Sequence, residues 1–388
     1  MIKRKKIGID ARFYGPIGKG LGRYTQEIVD NILKIDSDHD YVIFLRKENI
    51  NELIVDNYLN VKKVATDVRW YSWKEQLLMP YYIWREKLDL VHFPHFNVPI
   101  FVPVKFIVTI HDLILTKFKT VRATTRHPLV YNIKDFFYRI IIKRALRKSK
   151  KIITVSDFTK NDIISQFGVN PEKIEVTYEG SANLAKGKDS LFASKLDSSE
   201  VLNQHNIDNP FCLYVGNAYP HKNLFFLIEN FKYFYQQDNN LRLVLVGKED
   251  YFYKELKDFS CKVFSDSHNF PVIFAGYVPD EQLEVLYKKA LVYIFPSKYE
   301  GFGLPPLEAM ARGCPVLSSN TSSMPEVLGG AALYFDPSDK DDFIKKLNEI
   351  IRNEDLRSQM IDRGLKQAKK YNWWDCAFKT FNIYLQQL

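Results

Sequence analysis

Short runs of apolar residues alternate with longer helical patterns along the whole chain, and this alternation constrains the fold more than any other feature of the sequence. Strands that are apolar on both faces need cover on both sides, which parallel sheets obtain from the helices that connect their strands. The alternation stops in a stretch rich in Ser, Lys and Asp, Ser181–Asn209, and then starts again. The sequence therefore predicts an α/β chain with two doubly wound parallel sheets, one in each half.

The apolar runs predict strands at Lys6–Asp10, Tyr41–Leu45, Leu90–Phe93, Phe106–Ile110, Lys151–Val155, Phe211–Val215, Leu241–Val246, Val272–Ala275, Val292–Phe295, Pro315–Ser318 and Ala331–Phe335. Helices are predicted at Leu21–Leu33, Trp73–Lys87, Pro128–Arg147, Asp280–Ala290 and Pro305–Arg312. The expected domains are 1–190, a linker over 191–209, a second domain over 210–370, and a C-terminal helix over 371–388 that packs back towards the first domain.

Several classes of protein are disfavoured at once. No apolar run approaches the roughly 18–20 residues that cross a bilayer, and the start, MIKRKKIGID, lacks the apolar core of a secretory signal. The four cysteines lie far apart and form no Cys-x-x-Cys pair: Cys212, Cys261, Cys314 and Cys376. This spacing favours reduced thiols over disulfides or a zinc site and predicts a cytoplasmic protein.

The net charge of +9 is concentrated in one segment, Leu113–Lys151, where twelve Lys and Arg residues accompany a single acid, Asp135. The helix predicted there has an apolar repeat that we expect to face inward: Ile133, Phe137, Ile141 and Ala145. It also has a separate basic stripe: Arg139, Lys143 and Arg147. We expect this segment to dock on the inner face of an anionic membrane; the alternative is an ordinary solvated helix face.

Four glycines lie between the first strand and the first helix, in the range Gly15–Gly22. Such turns let backbone N–H groups approach phosphate oxygens. The spacing is not that of a dinucleotide-binding loop, because its third glycine would fall at Arg23. Arg46, rather than an acid, follows the second strand, so a nicotinamide or flavin site is disfavoured. The alternative to a phosphate loop is a flexible turn.

A lysine and a histidine follow predicted strands. Lys222 comes after Phe211–Val215 and just before a helix, where a point cation suits a diphosphate; an isolated lysine is otherwise a surface residue. His111 comes after Phe106–Ile110, and its place at a strand end favours function over the structural role that most histidines have. Other histidines are interpreted as structural or peripheral: His92, His95 and His127.

The segment after the strand Val292–Phe295 carries most information. A glycine loop, Gly301–Gly303, precedes a helix with Pro305 or Pro306 in its first turn, which directs free N–H groups towards the ligand edge of the sheet. Glu300 and Glu308 bracket this loop as acceptors for hydroxyl groups. Complementing the helix dipole is an alternative role for Glu308 but does not explain Glu300. Together these features predict a nucleotide-sugar pocket.

An acidic cluster, Asp36, Asp38 and Asp40, superficially resembles the metal-binding motif of some sugar transferases. It precedes a strand rather than following one, so we interpret it as a solvated turn. No other residues suggest a metal site, and the sequence predicts neither a metal nor a cofactor.

Glu300 to Glu308 has the E-x7-E form of the retaining glycosyltransferases of family 4, and the chain resembles that family over nearly its whole length. The resemblance is carried, in order, by GKGLGRYTQEIV, Thr109-Ile-His111-Asp112, ITVSDFT, YVGNAYPHKNL and ARGCPVLSSNTSSMPEVLGGAALYFDP. It implies a GT-B fold, in which two Rossmann-like domains face a cleft. It also implies metal-independent transfer of a hexose from a nucleotide diphosphate with retention of configuration.

The resemblance also implies roles for residues. Glu300 would contact sugar hydroxyls and Glu308 the ribose, while Lys222 and the backbone of Gly301, Phe302 and Gly303 would hold the diphosphate. Gly20 would approach the phosphates from the other domain, and His111 would lie beside the reacting sugar. One departure stands out: many members have Arg where this chain has Asn217. Without that arginine, the diphosphate is held less strongly, or His221 or Lys248 supplies the missing contact.

The chain is similar to bacterial polysaccharide mannosyltransferases, so GDP-mannose is the first expectation for the donor and a glycan or lipid-linked glycan for the acceptor. Glucosyl, N-acetylglucosaminyl or rhamnosyl transfer remain alternatives. A nucleotide-sugar epimerase or a phosphorylase would be a non-transferase alternative. A nucleic-acid-binding protein would explain the basic charge but not Glu300 and Glu308, so no nucleic-acid partner is expected.

Overall fold

The computed structural model describes residues 4–118, 128–181, 197–208, 210–265 and 270–388, with side chains from residue 135 onwards in the helix that begins at Pro128. Part of the predicted linker, residues 119–127 of the basic segment and His127 lie outside the described residues. The chain divides into two units, one comprising Met1–Gly180 with Trp373–Leu388 and the other Ser181–Asn372. Each unit is a parallel sheet with helices, which confirms the α/β fold class.

The first unit is built on a parallel sheet that has seven strands within the described residues, in the order β3-β2-β1-β4-β5-β6-β7. Its strands are β1 (Lys6–Asp10), β2 (Asp40–Leu45), β3 (Val61–Ala65), β4 (Leu90–Phe93), β5 (Lys105–Ile110), β6 (Lys151–Thr154) and β7 (Ile174–Val176). The sequence did not predict β3 and β7. Both are edge strands, and an edge needs less apolar surface: β3 carries two lysines, and β7 is only three residues long.

Helices connect these strands and supply the cover that the sheet needs. They are α1 (Lys19–Ile35), α2 (Trp73–Arg85), α3 (Ile114–Lys117), α4 (Pro128–Lys148) and α5 (Asp157–Phe167). No helix within the described residues is both long enough and apolar enough to cross a lipid bilayer.

The inward face of α4 differs from the predicted one. Tyr138 packs against the core, and Ile142 and Leu146 are buried with Ala145, whereas Phe137 is 52% exposed. The prediction for Phe137 is therefore wrong, that for Ala145 is right, Ile141 is only partly buried, and the Ile133 side chain lies outside the described residues. A strict four-residue repeat advances about 40° with each repeat on a helix that has 3.6 residues per turn, so over several repeats it drifts off one buried face.

The second unit repeats the architecture with a parallel sheet of six strands in its described part, in the order β10-β9-β8-β11-β12-β13. The strands are β8 (Phe211–Val215), β9 (Arg242–Val246), β10 (Val272–Gly276), β11 (Val292–Phe295), β12 (Val316–Ser319) and β13 (Leu333–Phe335). The helices are α6 (Ser198–Gln204), α7 (Leu224–Gln237), α8 (Tyr251–Val263), α9 (Asp280–Lys289), α10 (Leu304–Ala311), α11 (Met324–Leu328), α12 (Lys340–Arg352) and α13 (Glu354–Ala368).

The last helix, α14 (Trp373–Leu385), belongs to the first unit although it follows the second in sequence. The buried Trp373 ring lies edge-on to Tyr24, with ring centroids 6.0 Å apart. The hydroxyl of Tyr384 lies 2.6 Å from Nδ1 of His92, a buried strand residue. A Cβ atom at Gly180 would lie 2.4 Å from the Trp373 nitrogen, so the chain needs glycine there for α14 to pack.

A buried ionic cluster joins the end of β1 to the start of α2. Arg12 is fully buried and donates to both carboxylate oxygens of Asp10, at 2.7 and 2.6 Å. It also donates to Glu75 on α2 at 2.5 Å. Because these charges are removed from water, each depends on the others for compensation. The cluster therefore ties the first turn of α2 to the end of β1.

Replacing the cation of this cluster tests that dependence. Arg12→Met leaves two buried carboxylates without a countercharge, so we expect the free energy of unfolding to fall by about 3–5 kcal/mol. The control is Lys47→Met, which removes an exposed ion pair to Asp67 and should change stability by less than about 1 kcal/mol. Chemical denaturation measures both. Equal stabilities of the two variants would show that the cluster does not hold the fold.

Candidate functional site

The loop between β11 and α10 is held in place by its own backbone and by α11. Gly303 ends the loop with φ at +96°, a conformation that favours glycine. A Cβ atom there would lie 2.3 Å from Cε of Met324, the first residue of α11, so glycine is also required by packing. The helix α10 starts at the next residue, and Pro305 and Pro306 have no N–H to donate. Backbone donors at this end therefore come from Leu304 and the glycines before it.

Two serines form hydrogen bonds with the backbone of the same loop. The Glu300 nitrogen donates to Oγ of Ser322 at 3.0 Å. Oγ of Ser323 lies 3.1 Å from the carbonyl oxygens of both Glu300 and Phe302. These bonds hold the backbone of the loop at Glu300 and Phe302.

Glu300 and Lys222 meet each other directly. The Lys222 Nζ lies 2.5 Å from the Glu300 Oε1, and both side chains are nearly buried. The lysine ammonium also lies 5.3 Å from the centre of the Phe295 ring. The two residues follow the neighbouring strands β8 and β11, whose carboxyl ends share one edge of the sheet. The structure thus brings together two predicted donor-binding residues, but as an ion pair, which the sequence had not indicated.

Asn217 lies exposed at the end of β8, and its polar atoms are engaged locally. Its carbonyl accepts from the Tyr214 hydroxyl at 2.7 Å, and its side-chain oxygen accepts from the Tyr219 nitrogen at 3.3 Å. Burial, together with the charge of Lys222, lowers the pKa of His221 to about 4. A neutral His221 cannot replace the positive charge of the absent arginine, which leaves the exposed Lys248, at the end of β9, as the remaining predicted substitute.

Glu308 is the fifth residue of α10 and is partly buried. The interaction of a charge with the helix dipole falls off within the first turn. Glu308 lies beyond that turn, so the dipole accounts poorly for it.

In the first unit, His111 follows β5 and is held through both ring nitrogens. Nδ1 lies 3.0 Å from a carboxylate oxygen of Glu179, and Nε2 lies 2.9 Å from the carbonyl oxygen of Pro94. Burial alone would lower the pKa of His111, but the hydrogen bond and charge of Glu179 outweigh it and raise the pKa above its usual value. Both partners can accept hydrogen bonds, so this geometry favours the doubly protonated ring over a free base.

The glycines after β1 have different surroundings. A Cβ atom at Gly22 would lie 2.0 Å from the carbonyl oxygen of Gly15, so the turn requires glycine there. Gly20, the predicted phosphate contact, is exposed in the first turn of α1 with open space where a side chain would start. The fold itself therefore does not require glycine at position 20.

The solvated turn that we expected for the acidic cluster is right for the exposed Asp38 but wrong for Asp36. Asp36 is buried and accepts from the Tyr41 hydroxyl at 2.6 Å and from the Asp38 nitrogen at 2.9 Å. The oxygen that accepts from Tyr41, Oδ2, also lies 2.9 Å from Nδ1 of His39. Asp36 thus anchors the connection into β2. Over the described ranges, no group of three or more His, Cys, Asp or Glu side chains could hold a metal ion.

Two stretches of the chain match sequence models of known families. Residues 197–367 match "Glycosyl transferases group 1", and residues 18–180 match "Glycosyltransferase Family 4". The chain belongs to glycosyltransferase family 4. The matches cover most of both units, and the resemblance stated from the motifs is confirmed.

Curated relatives of this family 4 chain include two from bacteria. The O-antigen chain mannosyltransferase B of Escherichia coli is 34% identical over 249 residues, which are 63% of this chain and 62% of that protein. The O-antigen chain mannosyltransferase RfbU of Salmonella typhimurium is 29% identical over 276 residues, 68% of this chain and 69% of that one. The aligned region thus covers less than two thirds of the length of the Escherichia coli protein.

Solved structures share the fold over nearly the whole chain. WaaG, a glycosyltransferase involved in lipopolysaccharide biosynthesis, has a TM-score of 0.71 at 16% identity and covers 97% of this chain and 99% of its own. HepE of Anabaena, solved in complex with UDP and glucose, has a TM-score of 0.70 at 17% identity and covers 99% and 100%. The predicted GT-B fold is confirmed.

The sequence analysis missed several residues that contact the candidate site residues of this family 4 chain. Glu179 follows β7, a strand too short to be predicted, and Tyr24 reaches His111 edge-on, with 4.5 Å between ring centroids. Ser322 and Ser323 offered a usable signal, because small hydroxyl residues cluster directly after the predicted strand Pro315–Ser318.

The His111–Glu179 pair should make stability depend on pH. A histidine whose pKa is raised on folding contributes stability that is complete below its unfolded pKa, about 6.5, and that is lost as pH rises through the folded pKa. The melting-temperature advantage of the parent over Glu179→Gln should therefore be larger near pH 6 than near pH 9. NMR titration of the His111 ring provides an independent reading.

Glu175→Gln is the matched control, because Glu175 pairs with Lys151 in the same unit and is half exposed. Its effect on the melting temperature should not vary over this range. A Glu179→Gln effect that is equally flat would mean that His111 is not protonated in the folded protein.

Proposed function

We propose that the protein transfers a hexose from a nucleotide diphosphate donor to a glycan acceptor, with retention of configuration and without a metal. GDP-mannose is the proposed donor, and a glycan or lipid-linked glycan of cell-surface polysaccharide synthesis is the proposed acceptor, reached from the cytoplasm. Family membership and the printed names of the bacterial relatives support this proposal. The observation that carries it is the nearly buried Lys222–Glu300 pair beside the start of α10.

The pair offers one group for each part of the donor. A diphosphate would draw the Lys222 ammonium away from Glu300, and the released carboxylate would accept from sugar hydroxyls. The backbone N–H groups around Gly301, Phe302 and Gly303 would add donors to the diphosphate, and Glu308 would accept from the ribose. In this proposal the ion pair keeps both side chains in place until the donor replaces it.

The reaction needs charge stabilisation more than a nucleophile from the protein. The bond between the anomeric carbon and the diphosphate oxygen breaks, and the acceptor oxygen bonds to that carbon on the same face. The acceptor proton passes to the departing phosphate oxygen. Lys222 and the start of α10 stabilise the negative charge that develops on the leaving group. Glu300, on a loop whose backbone is hydrogen-bonded to Ser322 and Ser323, is suited to orienting the sugar once Lys222 has moved to the diphosphate. His111 is proposed to lie beside the reacting sugar, and because both of its ring nitrogens already contact acceptors, it is not suited to taking a proton.

The basic stripe of α4 is part of the proposal, as a contact with the anionic inner face of the cytoplasmic membrane. Arg139 forms an ion pair with Asp135 at 2.8 Å, so its charge is largely offset. Lys143 and Arg147 are exposed and carry the remaining charge of the stripe.

Other donors and activities remain open to test. Thermal-shift screening across GDP-mannose, UDP-glucose, UDP-N-acetylglucosamine and dTDP-rhamnose identifies the donor, because a ligand at about 100 times its Kd adds about 2.7 kcal/mol of stability. Product analysis with and without acceptor separates a transferase from an epimerase or phosphorylase. Salt-dependent nucleic-acid binding without any nucleotide-sugar response would support the remaining alternative.

Removing the lysine tests the site most directly. Lys222→Met should lower turnover by about 10²–10³, the effect of losing one preorganised charge-stabilising group. The control is Lys298→Met, because Lys298 is exposed in the same loop as Glu300 and should leave turnover within about twofold of the parent.

Folding and catalysis must be separated, because Lys222→Met leaves Glu300 buried without its partner. The double variant Lys222→Met with Glu300→Gln removes that unpaired charge, so it should recover the melting temperature without recovering activity. A loss of turnover below threefold in the single variant would remove Lys222 as the principal cation.

The glycine loop offers a second test. Gly22→Ala should destabilise the fold, because its Cβ atom would collide with the Gly15 carbonyl. Gly20→Ala should keep or slightly raise the melting temperature, since alanine is favoured over glycine in a helix by about 1 kcal/mol. If Gly20 approaches the donor phosphates, Gly20→Ala also weakens donor binding in calorimetry. Unchanged donor affinity would make the glycine loop a structural turn only.

A further inference from the structure

The helix α2 has a buried face and, opposite it, an exposed apolar face. Its inward face is accounted for by the buried side chains of Glu75, Met79 and Ile83. Its outward face carries large apolar side chains at spacings of four, four and three residues, which is one continuous stripe on a helix. These are Trp73, Leu77, Tyr81 and Trp84, exposed by 71%, 63%, 51% and 66%. We call these four residues the α2 stripe.

The α2 stripe continues onto a neighbouring loop. Ile100 and Phe101 are exposed, the latter by 63%. The loop is fixed to helices on both sides, because the Ile100 nitrogen donates to the Gln76 side chain of α2 at 2.8 Å, and its carbonyl accepts from Nε of Arg144 of α4 at 2.5 Å. The exposed apolar side chains are therefore held outward by ordered backbone.

Cations surround this apolar surface. A cavity of about 310 Å³ lies under the loop and is lined by Val98, Ile100, Phe101, Val104 and other apolar residues. Four basic side chains line the same cavity: Lys105, Arg144, Lys148 and Lys150. On α2, Lys74 and Arg85 lie over the rings of Trp73 and Tyr81.

The chemistry of this surface selects its partner. Tryptophan and tyrosine favour the boundary between lipid headgroups and acyl chains, and lysine and arginine favour anionic headgroups. A second copy of the chain, bound face to face through the same patch, would bring the basic side chains that border the patch on one copy against those on the other. Charge complementarity therefore favours an anionic lipid surface over self-association.

We propose that the α2 stripe, with Ile100 and Phe101, inserts into the headgroup region of an anionic bilayer, while the cations of the adjoining cavity bind lipid phosphates. This rests on the membrane contact proposed above for α4 and adds apolar insertion to it. On α4, Phe136 and Ile140 are exposed beside Lys143 and Arg147, so the same combination of side chains continues there.

The test uses the full chain and vesicles of phosphatidylcholine with or without phosphatidylglycerol. Trp73→Gln with Trp84→Gln should weaken sedimentation with anionic vesicles roughly tenfold or more, because two large apolar side chains no longer leave water. The matched control is Trp374→Gln, since Trp374 is an exposed tryptophan on α14 of the same unit. Its binding should equal that of the parent, and melting temperatures verify folding.

Further measurements separate apolar insertion from the electrostatic contact of α4 and from self-association. Charge reversal of Lys143 and Arg147 tests the electrostatic contact: if it abolishes vesicle binding while the tryptophan variant binds normally, the α4 contact stands and apolar insertion is wrong. A parent dimer that the tryptophan variant splits, with no vesicle binding by either, would assign the stripe to self-association and overturn the proposal. Donor-induced thermal shifts in the same preparations should be unchanged in all variants, so failure of the transferase proposal is read separately.

Discussion

Parallel pairing of the strands is the constraint on which the rest of the structure depends. Within the described residues, both sheets consist of parallel pairs, so each connection must return over a face of the sheet, and helices take that place. Parallel pairing also places the carboxyl ends of neighbouring strands at one edge of each sheet. Lys222 and Glu300, 78 residues apart in the chain, are neighbours for that reason alone.

The edge of the second sheet shows how a polar site is held between buried strands. Glu300 and Lys222 compensate each other's charge where neither is well solvated. The serine contacts and the left-handed Gly303 set the loop that carries Glu300. The arrangement suits a ligand that brings both a negative group for the lysine and hydroxyl groups for the carboxylate. A nucleotide diphosphate sugar offers both, which is why the proposed function starts from this pair.

The first unit has a different balance of charge and apolar surface. Arg12 is enclosed with two carboxylates and ties α2 to the sheet, so α2 presents its outer face in a fixed orientation. That face is apolar although nothing within the described residues covers it, and cations border it. Burial of charge on one side of the helix and exposure of tryptophan on the other are features that stability alone does not explain. They motivate the lipid contact that we propose.

The sequence by itself determined the fold class, most strand positions, the family and the loops that carry the site, because apolar periodicity and glycine-rich strand ends are local signals. It did not determine which side of α4 is buried, where Phe137 proved exposed, or that Asp36 is buried. It also did not show that Lys222 pairs with Glu300 or that Glu179 contacts His111 and raises its pKa. Those facts depend on which distant side chains meet when strands align, and so only the tertiary structure decided them.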